Sequence, residues 1–258
     1  MYERIVGEDP LRMPMRIYPA PHYTMGGLWV DYNLMSTLPG LFVLGEANCT
    51  VHGANRLGAN ALLQCLVDGY FVAPSSISAW LASHTFESSS QRIDSACKEA
   101  IARASIRIRV LTNVKGTVPV DVYHRELGKI MINRCGISRE KFGLKAGLRE
   151  VKSLQEQFYQ GVRIPSGIDC PNPELEKALR VADFFELAQL MLVDALAREE
   201  SCGAHFRVEH QTEEGEALRD DADFSHITAW EYVEGAQPIQ HRESLSFSDI
   251  DPSKRSYK

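Results

Sequence analysis

The chain has 258 residues, 44% of them hydrophobic, and a formal net charge of −6 at pH 7. This length can bury a sizeable core, as one large domain or two smaller ones. The negative charge argues against nucleic acid or an anionic membrane surface as the main partner, and no apolar run approaches the length that spans a bilayer.

Six cysteines are scattered along the chain, without a C-x-x-C pair and without a metal-ligand spacing to histidine. In a chain of this size, scattered thiols favour a reducing compartment in which most of them are ordinary core residues. The sequence therefore predicts no metal site.

The amino-terminal region contains two polar motifs separated by a short apolar run. Residues 21–27 read PHYTMGG, residues 41–44 read LFVL, and residues 52–60 read HGANRLGAN. A short continuous apolar run between turn residues predicts a strand that is covered on both faces. Residues 27–31, GLWVD, predict another strand.

The predicted strand, loop and helix around residue 46 form one unit. Glu46 follows the carboxyl end of the strand, where ligands bind in open α/β sheets. The loop from Gly53 to Asn60 consists of small residues around one arginine, so its backbone amides can approach a ligand closely. Next, an i, i+4 repeat predicts an amphipathic helix (Leu62, Leu66, Tyr70; Leu63, Val67, Phe71). Its amino end favours an anion or a reduced, negatively charged ring, although an ordinary corner with one surface arginine has the same pattern.

A helical region is predicted to follow. Pro74-Ser75-Ser76 predicts the end of the first helix, and a further short helix runs through Trp80. From Gln91 one helical face collects five small or apolar residues (Ile93, Cys97, Ala100, Ala104, Ile108). The alternation of Ile106, Ile108 and Val110 fits a strand equally well, and we predict helix because it continues this face.

Three further helices are predicted up to about residue 199. The first lies between two glycines and has a four-residue inner face (Tyr123, Leu127, Ile130, Met131). The second has spacings of four, three, three and four, typical of a bundle helix (Leu144, Leu148, Val151, Leu154, Phe158). The third starts at Asn172-Pro173-Glu174, which supplies a cap, a first-turn proline and an acid. It is apolar on most faces after Val181, which predicts a central position.

The carboxyl-terminal region changes character after Gly203 and becomes polar and acidic. Residues 227–232 and 245–247 are short strand candidates there.

Taken together, these motifs resemble the flavoprotein subunit of succinate dehydrogenase and fumarate reductase. That family carries H-x-x-M-G-G, then G-L-(F/Y)-x-x-G-E, then H-G-A-N-R-L-G-x-N-(S/A)-L-L, in this order. The resemblance continues to the tail, but covers only the carboxyl-terminal part of such a subunit. It implies an α/β remnant of an FAD-binding domain (1–74), a mainly α helical bundle (75–200) and an irregular acidic tail (201–258).

The resemblance also implies FAD as cofactor and the interconversion of succinate and fumarate as the reaction. By resemblance, His22 and Arg56 hold the carboxylates of a C4 dicarboxylate, because arginine binds a carboxylate in a bidentate manner. Glu46 is the position that hydrogen-bonds the flavin cofactor, and the backbone approaches it at five further positions (Gly26, Gly27, Asn60, Ala61, Leu62). Ala61 replaces the usual serine of the family, so any hydroxyl contact is lost there.

Each of these roles has a purely structural alternative. His22 could be a hydrogen-bonded structural histidine beside a strand, and Arg56 could form a structural ion pair with Glu46. His52 is interpreted as structural, and His124 as solvated or capping. The segment SCGAHFR (201–207) resembles a family segment and is interpreted as a packing junction between the bundle and the cofactor domain.

The departures from the family concern the amino-terminal part. No G-x-G-x-x-G sequence occurs in the chain, and by resemblance the flavin-linking histidine and the proton-delivering arginine lie upstream of Met1. A split gene, an internal start and a fragment are all compatible with this. If the upstream part is missing, residues 1–72 are expected to expose an apolar patch.

The resemblance implies an iron-sulfur subunit as partner and, indirectly, a membrane-anchor cytochrome b subunit, at the inner face of the cytoplasmic membrane. The enzyme alternative is L-aspartate oxidase, which also oxidises a dicarboxylate with FAD. The alternative from another class is a non-catalytic piece that keeps only the docking surface for the iron-sulfur subunit.

Overall fold

The structure, a computed structural model, describes residues 1–16, 21–49, 51–85, 90–165, 171–233, 235–250 and 252–253. The chain divides into a first unit, Met1–Trp80, and a second unit, Leu81–Lys258. The division into three domains at residues 74 and 200 stays a prediction. The elements follow in chain order: α1 (Tyr2–Val6), α2 (Asn60–Val67), α3 (Ala73–Ser83), α4 (Ser90–Thr112), β1 (Val118–Pro119), α5 (Val120–Cys135), α6 (Lys141–Gly161), β2 (Val162–Arg163), α7 (Pro173–Ala197), α8 (Asp221–Phe224), β3 (His226–Glu231) and β4 (Ile239–Ser244).

The second unit is built around a helical core, as the periodicity predicts. Helix α7 packs against α4, α5 and α6, which confirms its central position. The predicted inner faces of α5 and α6 supply the core, with Tyr123, Leu144 and Phe158 fully or almost fully buried. Removal of these side chains from water is the main stabilising contribution to this unit.

Helix α7 begins at its predicted cap. The Asn172 side chain accepts a hydrogen bond from the Leu175 amide at 3.1 Å, and Pro173 occupies the first helical position. The hydrogen bond satisfies one of the free amides of the first turn, and the proline has no amide hydrogen that needs a partner. Helix α4 is also a helix, as predicted, but its amino-terminal two thirds lies outside the core, with Ile93 57% and Ile101 66% exposed.

The carboxyl-terminal region is more regular than the predicted irregular tail. Strands β3 and β4 form an antiparallel ladder in which His226 pairs with Ser244 and Glu231 with Ile239. The strand predicted at 227–232 is confirmed within one residue, whereas the strand predicted at 245–247 is wrong. Strand β4 ends at Ser244, the partner of His226, and the Leu245 amide then donates to the Ser225 carbonyl at 3.0 Å without continuing the ladder. Residues 254–258 of the predicted tail lie outside the described residues.

The first unit contains little regular strand. The predictions at 27–31 and 41–44 are wrong, since among the described residues these segments form only isolated bridges, Leu28 with Asn48 and Met35 with Phe42. A run with one bridge does not build a ladder. Four buried side chains form the small core of this unit (Val30, Leu34, Val43, Ala73).

The helical segment of the first unit is longer than predicted. Pro74 does not end it, because a π-helical turn over Asp68–Val72 joins α2 to α3 and Pro74 lies in the first turn of α3. The wider π register changes the bonding ladder just before the proline, which donates no hydrogen bond. Within the described residues, no helix is both long and apolar enough to cross a membrane.

Candidate functional site

The turn that carries Glu46 is fixed by two side chains of the following helical segment. Residues 45–47 form a 3-10 turn, and Gly45 adopts φ 63°, which glycine permits at low cost. The Gly45 amide donates to Asp68 Oδ2 at 2.9 Å, and the Gly45 carbonyl accepts from Gln64 Nε2 at 3.1 Å. The exposed Glu46 carboxylate accepts from the Thr24 amide at 2.8 Å, which links the turn to the PHYTMGG segment.

Gln64 is the hub of a small polar network. Its Oε1 accepts from the Tyr23 hydroxyl at 3.1 Å and lies 2.8 Å from His52 Nε2. Because the Gly45 carbonyl only accepts, the amide nitrogen of Gln64 must face it and Oε1 must face the two rings. His52 therefore carries its proton on Nε2. This geometry agrees with the structural interpretation of His52 as the residue that holds the turn.

Arg56 lies over the face of Tyr23. Its guanidinium carbon is 4.6 Å from the ring centroid, and Nη1 donates to the Leu57 carbonyl at 2.9 Å. Nε of Arg56 is buried and has no hydrogen-bond partner within the described part of the chain. An ion pair with Glu46, the alternative considered from sequence, does not occur among the described residues. The guanidinium thus keeps donors for a ligand.

Charge around Tyr23 affects its phenol. Burial, and then the negative charge of Glu46, raise the pKa of Tyr23, while the positive charge of Arg56 acts in the opposite direction. The phenol therefore stays protonated at neutral pH and donates to Gln64. His22 precedes it in the chain and is exposed, without a hydrogen bond or ion pair to another described residue. Its Cα lies about 3.8 Å from that of Tyr23, as in any adjacent pair.

The predicted backbone contacts fall into two places. Gly26 adopts φ 105° and has open space at the position of a side chain, whereas a side chain at Gly27 would lie 2.1 Å from the Ala47 carbonyl oxygen. Asn60, Ala61 and Leu62 form the first turn of α2, which has no side-chain cap among the described residues. A first turn without a cap leaves amides and a partial positive charge for an anionic group.

A second polar network, in the second unit, surrounds the SCGAHFR segment. Arg207 is 1% exposed and donates through Nη1 to the Ala195 carbonyl at 2.9 Å, at the carboxyl end of α7. His205 Nδ1 accepts from Arg139 and His205 Nε2 donates to the Arg198 carbonyl, both at 2.9 Å. Burial lowers the pKa of His205 to about 4; the hydrogen bond to Arg198 opposes this and the charge of Arg139 adds to it.

The sequence predicts that this segment is a packing junction between the bundle and the cofactor domain. Its contacts among the described residues join the start of α6 to the end of α7, two helices of the bundle. The Arg139 amide donates to the Phe206 carbonyl just before α6 begins, while Arg207 contacts the end of α7. The Ser201, His205 and Arg207 side chains all have protein partners, which fits packing better than chemistry. His124 is exposed and stacks on Phe184 at 5.7 Å, in agreement with a solvated position.

Comparison with known proteins identifies the chain. The family model described as fumarate reductase flavoprotein C-term matches residues 124–257, and the FAD binding domain model matches residues 3–62. The chain belongs to the fumarate reductase flavoprotein family. This family consists of FAD-dependent oxidoreductases of the succinate dehydrogenase and fumarate reductase type, with L-aspartate oxidase as a more distant relative.

Relatives of this flavoprotein align along its whole length. The succinate dehydrogenase flavoprotein subunit of Bacillus subtilis is 30% identical over 258 residues, which is 100% of this chain and 42% of that protein. L-aspartate oxidase of Synechocystis is 31% identical over 79% of this chain and 36% of its own length. A solved quinol-fumarate reductase with menaquinol molecules superposes with a TM-score of 0.81 at 28% identity, over 98% of this chain and 42% of that one. The flavoprotein chain described here thus spans about two fifths of the relatives that it matches.

Sequence reasoning missed two residues of the site, Gln64 and Asp68. Both are almost completely buried, although the pattern of this helical segment predicts that its apolar side chains form the buried face. The available signal was their spacing of four, which places two polar residues on one helical face. In the sequence Tyr23 is only one residue of the PHYTMGG motif, and its position beneath Arg56 is defined by the tertiary structure.

Proposed function

We propose that this chain is the carboxyl-terminal part of an FAD-dependent flavoprotein subunit that interconverts succinate and fumarate. The observation that carries the proposal is Arg56, whose guanidinium lies on the Tyr23 ring, donates through Nη1 to the Leu57 carbonyl and has no ion pair among the described residues. A guanidinium has five N–H donors, so donors remain for a ligand. In a member of this family, the ligand of choice for a planar guanidinium is a carboxylate.

In this proposal, Arg56 and His22 bind the two ends of a C4 dicarboxylate. Arg56 presents a fork that stays charged, and the exposed His22 adds a ring donor. Each charge-assisted contact contributes roughly 1.5–3 kcal/mol to binding. The Leu57 carbonyl and the Tyr23 ring restrict the guanidinium before the ligand arrives, which lowers the entropic cost of binding.

The described residues also fit FAD. The first turn of α2 without a side-chain cap, the open side of Gly26 and the exposed Glu46 offer amide donors and one carboxylate to a flavin ring. Bound FAD would supply hydride transfer at N5. The role of this chain is then to hold the dicarboxylate in a fixed orientation and to place a partial positive charge at the reduced ring.

L-aspartate oxidase is the second candidate. The match to the Synechocystis enzyme covers 79% of the chain, whereas the succinate dehydrogenase subunit covers all of it, and the C-terminal family model extends to residue 257. The longer match therefore favours the dehydrogenase. We also propose an iron-sulfur subunit as the partner, with a membrane-anchor cytochrome b subunit indirectly behind it, at the inner face of the cytoplasmic membrane.

The first test measures flavin absorbance of the purified chain with added FAD, with and without malonate, a dicarboxylate that does not react. We expect a flavin spectrum that shifts with malonate. Arg56→Ala should weaken malonate binding by roughly tenfold to a hundredfold. Arg12→Ala is the matched control, because this side chain of the same unit is 87% exposed.

Three outcomes contradict the proposal in different ways. Bound flavin without any effect of malonate or of Arg56→Ala removes the dicarboxylate site. No bound flavin means that this chain alone does not hold the cofactor and supports the non-catalytic alternative. A shift with L-aspartate that succinate does not produce favours the oxidase.

A further inference from the structure

The polar network beneath Arg56 suggests a residue that orients the site without touching the ligand. We propose that Gln64 is the positioning residue of Arg56: it holds the Tyr23 ring on which the guanidinium rests and fixes the tautomer of His52. The proposal deepens the proposed function and rests on it only for the identity of the ligand.

The first step is the fixed orientation of the Gln64 side chain. It is 6% exposed, and each of its polar atoms has a partner: Nε2 donates to Gly45, and Oε1 receives Tyr23 and His52. A carbonyl on one side and a hydroxyl on the other leave only one orientation of the amide that satisfies all partners. A buried network with every group satisfied is rigid.

The second step leads from Gln64 to the guanidinium. Tyr23 is held at its hydroxyl by Gln64 and at its ring edge by His52, whose centroid lies 5.5 Å away in a T-shaped arrangement. The face of the same ring lies 4.6 Å from the Arg56 guanidinium carbon. A cation is attracted to the face of an aromatic ring. A Tyr23 ring that is held in place therefore restrains the guanidinium that lies on it.

The third step concerns protonation. Because Gln64 Oε1 only accepts, it requires the His52 proton on Nε2, which leaves Nδ1 as the other ring nitrogen. A carboxylate in place of the amide would attract a second proton to the ring. Gln64 thus fixes which ring nitrogen of His52 faces the network. The same side chain secures the turn that presents Glu46.

The variants to compare are Gln64→Met, which keeps the length and removes the hydrogen bonds, and Gln64→Glu, which keeps both acceptor contacts and adds a charge. Tyr23→Phe keeps the ring but removes the hydroxyl that donates to Gln64. Gln160→Met, an exposed glutamine on α6, is the matched control. Far-ultraviolet circular dichroism of each full-length variant shows whether it remains folded.

Three readouts distinguish positioning from a merely structural role. The ¹⁵N shifts of His52 report its tautomer, the ring-current shift of the Arg56 δ protons reports the Tyr23 stacking, and calorimetry gives the malonate affinity. In Gln64→Met we expect a mixed His52 tautomer, loss of most of the Arg56 shift and about tenfold weaker malonate binding. Tyr23→Phe should reduce the Arg56 shift in the same direction. In Gln64→Glu the added carboxylate should move the ¹⁵N shifts of His52 towards those of the doubly protonated ring at neutral pH.

The outcomes separate this inference from the proposed function. If wild-type chain binds malonate through Arg56, but Gln64→Met leaves the tautomer, the ring-current shift and the affinity unchanged, the positioning role is refuted and the function stands. If malonate does not bind, while the His52 and Arg56 signals respond to Gln64→Met, the network is as proposed and the dicarboxylate assignment fails. Changes as large in Gln160→Met would refute the positioning role.

Discussion

The two units of this flavoprotein use their helices in opposite ways. In the second unit, α5, α6 and α7 bury apolar faces, with Leu144, Phe185 and Leu192 completely inaccessible. In the first unit, α2 and the π-helical turn bury Gln64 and Asp68, while Leu62 is 68% and Phe71 76% exposed. The bundle is therefore stabilised by its own core, whereas the buried face of α2 organises a polar site.

This difference explains why one unit is easier to predict than the other. An amphipathic repeat predicts the buried face correctly where neighbouring helices of the same unit cover it. In the first unit the described residues cover the apolar side chains of α2 and of the π-helical turn only in part. The expected apolar patch within residues 1–72 is thus present (Leu62, Leu63, Leu66, Val67, Tyr70, Phe71, each at least 40% exposed).

The largest expected effect contrasts the same substitution in the two units. Leu192→Ala, at a fully buried position of α7, should lower the free energy of unfolding by roughly 2–5 kcal/mol, because it removes apolar contacts and leaves a cavity. Leu66→Ala, at a side chain 44% exposed on α2, should cost less than about 1 kcal/mol. Urea unfolding followed by circular dichroism measures both. Equal losses would break the comparison between the two units.

The next effect concerns the buried cation of the second unit. Arg207→Met should cost roughly 1–3 kcal/mol, because carbonyls at the end of α7 lose their donor. Arg180→Met is the matched control, since its ion pair with Glu176 on the same helix is exposed and contributes about 0.5 kcal/mol or less. Thermal melting of the two variants gives the difference. A harmless Arg207→Met would mean that the α7 carbonyls find other partners.

Self-association tests the exposed face directly. The wild-type chain should associate as its concentration rises, because a contiguous apolar patch is unfavourable in water. Leu63→Ser combined with Phe71→Ser should shift the population towards monomer in sedimentation velocity. Ile132→Ser with Ile137→Ser, which alters exposed residues of the second unit, is the control and should not. A monomeric wild-type chain at all concentrations would contradict the expectation.

The last effect is a pH dependence from His205. Its pKa is about 4 in the folded chain and near 6.5 when unfolded, so between these values only the unfolded chain binds the proton. Stability contributed by neutral His205 is complete above about pH 6.5 and is lost as the pH falls towards 4. His205→Gln should therefore show a shallower loss of melting temperature from pH 6.5 to 4.5.

Carboxylates contribute in part of the same range, so the comparison of slopes is the decisive measurement. The hydrogen bond with Lys141 lowers the pKa of Glu199, and this contribution is lost only as the pH falls below the ordinary glutamate value. It is common to wild type and variant. Identical slopes in the two proteins would exclude His205 as the group responsible.

Much of the bundle was determined by the sequence alone. The periodicity of Leu144, Val151 and Phe158 and the cap at Asn172 require only local geometry and a neighbouring helix to bury the apolar face. The motifs at 21–27 and 52–60 likewise indicated the family, because two spaced motifs and the run between them seldom coincide by chance. The site roles assigned to His22, Glu46 and Arg56 remain proposals.

Only the tertiary structure decided how the site is held together. Gln64 contacts Tyr23 across 41 positions of sequence, and Asp68 contacts Gly45 across 23. Helical periodicity describes one helix at a time and carries no information about such partners. The predicted strands at 27–31 and 41–44 failed for the same reason, because a strand exists only when another segment pairs with it. Local sequence thus set which side chains share a face, and tertiary packing decided which face was buried.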